Sequence, residues 1–70
     1  MSTERIVTDY TIPGKAPVVV TALALGGHSV VIAPWYEAWK ETADEADELA
    51  CSLARIERIA VRYEAEPQTL

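Results

Sequence analysis

One cysteine and one histidine among seventy residues exclude an internal disulfide and a structural zinc site built by a single chain. Basic residues are also scarce. Six Lys and Arg against eleven Asp and Glu leave a net charge of −5, which speaks against binding nucleic acid or an anionic membrane. No basic leader followed by an apolar core opens the chain, so the expectation is no secretory signal and a cytoplasmic location. No Lys-Ser or Lys-Thr step follows Gly26-Gly27, so the glycine pair is not a phosphate loop. No carboxylate pair implies a pocket, and no nucleophile–base pair is visible. The reading is therefore not an enzyme, with no catalytic, cofactor or metal residues.

Residues 16–36 lack Asp, Glu, Lys and Arg and are long enough to span a bilayer. Pro17, Gly26-Gly27, His28, Ser29 and Pro34 interrupt that run, and breaks and polar groups are costly in lipid. No membrane span is expected.

Half the residues are apolar and about a quarter are charged, which argues for a folded chain rather than a disordered one. Seventy residues make a single small domain, 1–70. A core of that size is marginal alone unless stapled or oligomeric.

The sequence is organised around residues 34–66, which read as one long helix. Between Trp35 and Glu66 there is neither Gly nor Pro, while Pro34 and Pro67 stand at the two ends. Trp35, Trp39, Thr42, Ala46, Leu49, Leu53, Ile56, Ala60 and Tyr63 follow a four–three spacing, a heptad seam. One alternative is local: Thr42-Ala43-Asp44-Glu45 matches a capping box, so the helix has a possible break near Thr42.

The sheet is expected over 5–33. Met1 to Glu4 reads as a loose start and Arg5 to Ile12 as an alternating strand. Pro13-Gly14 makes a turn, and Val18 to Leu25 makes a second strand with no charge on either face. Gly26-Gly27 makes a two-residue hairpin and His28 to Ala33 a third strand. The predicted fold is α+β: a three-stranded antiparallel β-meander followed by one long C-terminal α-helix (βββα).

Two mismatches in that fold call for a partner. A single helix covers one face of the sheet, yet the second strand is apolar on both. A thirty-residue helix spans roughly 45 Å and a strand of this length roughly 25 Å, so apolar residues would overhang. Self-association is the simplest cover, through Leu49, Leu53, Ile56, Ala60, Tyr63, Val19 and Leu23.

A second set of residues carries the alternative. Trp35, Tyr36 and Trp39 form an aromatic cluster of the kind enriched at interfaces, with the two tryptophans expected as core anchors and Tyr36 at the rim. Glu37, Glu41, Glu45 and Glu48 belong to an acidic run that reads first as a solvated helix face and second as a surface for a basic partner. Cys51 reads as a partly buried structural thiol, since Asp47 and Glu48 disfavour its thiolate. His28 reads as a turn residue.

Leu25-Gly26-Gly27-His28-Ser29, followed by an expected helix holding Glu37-Ala38, loosely resembles the strand–turn–helix of HicB-type antitoxins. The resemblance covers fewer than twenty residues, the family's Gly-Asp-Thr step is absent, and no functional residue is carried over. The expected function is a small non-enzymatic protein-binding protein, first as a homo-oligomeric structural or adaptor unit. The alternative is a small acidic inhibitor of a larger protein, such as an antitoxin, a phage-type anti-defence factor or a nucleic-acid mimic.

Overall fold

The computed structural model describes residues 3–67. Five strands and one helix occur in the order β1 (Thr3–Arg5), β2 (Val18–Ala22), β3 (His28–Ile32), β4 (Tyr36–Lys40), α1 (Ala43–Glu57) and β5 (Val61–Ala65). The class is α+β, as expected, but the sheet has five strands rather than three. Its order is β1-β5-β2-β3-β4, antiparallel throughout except for the parallel pair β2/β5. The second strand is still the central one, but β5 has entered between it and β1.

The long helix is the main correction. Only 43–57 is helical; 36–40 and 61–65 are strands that border it. The capping box sets the start. The Glu45 amide donates to Thr42 Oγ1 at 3.2 Å, and the hydroxyl donates to Glu45 Oε1 at 3.0 Å. Arg58 sets the end: at φ 60° it takes the left-handed cap position, with Ile59 N donating back to Ala54 O. Upstream, Tyr36-Glu37-Ala38-Trp39-Lys40 alternates between half-buried and exposed, as an edge strand must. The four–three seam is thus divided among three elements. Trp35, Trp39, Thr42, Ala60 and Tyr63 all lie outside the helix.

Two strand expectations also change. The alternating stretch 5–12 is mostly loop: Arg5 closes β1, and residues 6–17 run past the end of α1, where Ile12 N donates to Arg58 O. Thr3 and Glu4, expected as a loose start, belong to β1; Met1 and Ser2 lie outside the described residues. The second hairpin is wider than two residues. Leu23 N donates to Gly27 O, and Ala24, Leu25 and Gly26 form the tip.

The core lies between one sheet face and α1. Val18 and Val20 of β2, Val30 and Ile32 of β3 and Val61 of β5 meet Ala46, Ala50 and Ala54 of the helix, closed by Ile59. Alanines on the inward helix face let the backbone sit close to the valines. Leu49, Leu53, Tyr36, Tyr63 and Val7 pack around that centre. A fifteen-residue helix is roughly 22 Å long against roughly 17 Å for five-residue strands, so the expected overhang shrinks to about one helical turn. Among the described residues no helix is long and apolar enough to cross a membrane; the charge-free run 16–36 instead supplies β2 and β3.

Candidate interaction surface

The sheet has one helix and therefore one covered face. Strand alternation sends Val18, Val20, Val30, Ile32 and Val61 to the core, so their neighbours point the other way. The register sets them in rows. Across β1, β5, β2, β3 and β4 the first row reads Glu4, Arg62, Val19, Val31, Glu37. The next reads Glu64, Thr21, Ser29, Trp39. No described element packs on this face. Its centre is aliphatic, its β1/β5 side holds an Arg62–Glu4 ion pair at 2.9 Å, and its β4 side ends in Glu37 and Trp39.

Trp39 is 58% exposed and its indole lies against Gly27 in the hairpin. Trp35, 61% exposed, stands in the turn from β3, where its amide donates to Ile32 O across the cis Ala33–Pro34 bond. Its ring meets Tyr36 edge-on at 6.0 Å. The expected roles of the aromatics are therefore reversed. Trp35 and Trp39 are the outward pair, and Tyr36 packs against the core. Alternation explains the swap, because Tyr36 shares the helix-facing row of β4 with Ala38 and Lys40.

The acidic run does not form one helix face. Glu37 lies on the uncovered sheet face and Glu41 in the turn before Thr42, while Glu45 and Glu48 flank a groove beside α1 with Lys40, Leu49 and Ser52. The Glu37-Ala38 pair of the HicB-type resemblance is in β4 rather than in a helix. The residues expected for self-association are also dispersed. Leu49 and Leu53 border the core, Ala60 is buried, Ile56 is exposed, Val19 is on the uncovered face and Leu23 is in the hairpin. Val31 was not singled out from sequence, because its face depends on a register that periodicity in an all-apolar run does not reveal.

A second feature lies at the opposite edge of the helix. Asp47 Oδ1 accepts from the Tyr63 hydroxyl and, at 3.7 Å, from Cys51 Sγ; Asp47 Oδ2 is 3.6 Å from Arg5 Nη1. Burial first, and then the hydrogen bond to Asp47, push the Tyr63 phenol above its usual range. This group ties β1 and β5 to α1. Cys51 is buried, as a structural thiol should be. The neighbouring cleft, about 390 Å³, is lined by His28, Asp44, Asp47, Tyr63 and Glu64 over Val20 and Ala22. His28 opens β3 directly after the hairpin glycines, where the third strand was expected to start. Among the described residues no three acidic, His or Cys side chains are grouped to hold a metal ion.

Compared with models of known families, with characterised proteins and with solved structures, the chain matches none.

Proposed function

We propose that this protein acts by binding protein, as a homo-oligomeric structural or adaptor unit rather than as an enzyme. The observation that carries this reading is the β4 rim of the uncovered sheet face, where an outward Trp39 borders the aliphatic Val19 and Val31, while an exposed Trp35 stands in the turn at the other end of the strand. Large exposed aromatics next to aliphatic surface are the usual anchors of protein interfaces. The overhanging helix no longer supports self-association, so the contact moves from α1 to β4 and its surroundings.

The test is molar mass by light scattering over a concentration series. Wild type should rise toward twice the 7.7 kDa of one chain. Trp39→Glu changes a side chain outside the core and should keep the circular dichroism spectrum while lowering the mass. A wild type that stays at the single-chain mass throughout would overturn the reading.

A further inference from the structure

The hydrogen-bond ladder shows which backbone groups β4 leaves free. Val18 N donates to Ala60 O and Ala22 O accepts from Glu66 N, so the even residues of β2 turn toward β5. Leu23 N donates to Gly27 O, so the odd residues Val19, Thr21 and Leu23 turn toward β3. Their partners Val31 and Ser29 are thereby used. His28, Val30 and Ile32 remain for β4, and Trp35 N donating to Ile32 O agrees with this. The ladder therefore takes up Tyr36, Ala38 and Lys40. The N–H and C=O groups of Glu37 and Trp39 point away from the sheet, and among the described residues no strand lies beyond β4.

We propose that this edge binds β4 of a second copy, antiparallel and centred on Ala38. The inference rests on the self-association reading above and specifies its contact. In this register Ala38 faces its own counterpart and each Glu37 faces a Trp39. The Glu37–Trp39 pairs use the free groups, two N–H···O bonds for each pair. Side chains agree with the register. Tyr36 stands opposite Lys40 on the helix side and Glu37 opposite Trp39 on the other, so no like charges meet. The smallest side chain of the strand sits on the twofold axis. The opposite sheet edge, β1, is only three residues long and offers a shorter template.

The pairing joins two uncovered faces into one ten-stranded surface. It leaves the helices apart. Since α1 packs chiefly over β2 and β3, a twofold beyond β4 puts the helix axes roughly 19 Å from each other at about 4.8 Å per strand. Packed helices are about 8–10 Å apart. Leu49, Leu53 and Ile56 thus take no part.

Three variants test this on the whole chain. The first is Ala38→Cys in a Cys51→Ala background, with Cys51→Ala alone as control. Antiparallel partners at a non-hydrogen-bonded site have Cα atoms about 4.5 Å apart, within disulfide reach. Oxidation should give a covalent dimer from Ala38→Cys and none from the control. The second is Glu37→Pro. It removes an outward N–H that β3 does not use, so the fold should persist while the dimer dissociation constant rises at least about tenfold. The third, Ile56→Lys, alters an exposed residue of α1 and should leave the dissociation constant unchanged.

If wild type associates but Ala38→Cys does not cross-link and Glu37→Pro leaves the dissociation constant unchanged, or Ile56→Lys dissociates it, the edge contact is overturned while self-association stands. Open-ended polymers in place of a dimer would also overturn it. A single-chain mass at every concentration would remove both readings.

Discussion

The indole of Trp39 fills the space that a β-carbon on Gly27 would need, so the hairpin tip and the edge strand are fitted to each other through a missing side chain. Gly27 also has φ 80°, which an L side chain adopts only at a cost. Gly27→Ala should therefore lower stability by about 1 kcal/mol and displace the ring. Urea unfolding gives the first number. Trp39 fluorescence in a Trp35→Phe background reports the second, and an unchanged emission maximum would show that the ring had not moved.

Thr42 is where helix and strand part, and its hydroxyl is used twice. Thr42→Ala should cost about 1 kcal/mol, while Thr42→Asp should retain most of the stability because its carboxylate still accepts from the Glu45 amide. Equal losses in the two variants would mean that the cap hydrogen bond is not what the site contributes.

Two isoleucines three residues apart should behave in opposite ways. Ile59 is 1% exposed and Ile56 is 73% exposed. Ile59→Ala should cost about 2–5 kcal/mol, whereas Ile56→Ala should stay within about 0.5 kcal/mol of wild type. A continuous helical seam through Ile56 would predict a large loss at both.

Tyr63 links stability to alkaline pH. Its folded-state pKa is raised, so its contribution is complete below the unfolded value of about 10 and is lost as pH rises through the folded value. Tyr63→Phe should be less stable than wild type at pH 7 by about 1 kcal/mol. The gap should narrow as pH climbs above about 10. Melting temperatures of both proteins across that range decide it, and a constant gap would contradict the linkage.

How much of this was visible beforehand can be judged from particular residues. The capping box at Thr42–Glu45, the starts of β2 and β3 at Val18 and His28, and the buried thiol of Cys51 were all legible from local chemistry. Strand β4 was not. Tyr36-Glu37-Ala38-Trp39-Lys40 contains good helix formers, and Trp35 and Trp39 fit a four-residue spacing as well as they fit a turn and an edge strand. The end of α1 was hidden because an arginine, not a glycine, takes the left-handed cap. Strand β5 was hidden because its partners in the parallel neighbour β2 are 43 residues away in sequence, as in Val18 and Val61, and no local pattern announces such a pairing. The site followed these errors. With 35–39 read as helix, both tryptophans were assigned to the core; the pleat of β4 turns Trp39 outward, and Trp35 stands exposed in the turn before that strand.

The place of β5 in the sheet also sets an order of events. Strands β2, β3 and β4 are consecutive and can form a meander as soon as they have been synthesised. Strand β1 has no neighbour until β5 exists, because β5 is what lies between it and β2. Strand β1 must therefore wait for β5. Its contacts with Val61–Tyr63 span nearly the whole described chain, the kind of long-range closure that slows folding. Until then the side of β2 that β5 will occupy is an open edge with unpaired backbone groups, bordered by Val18 and Val20.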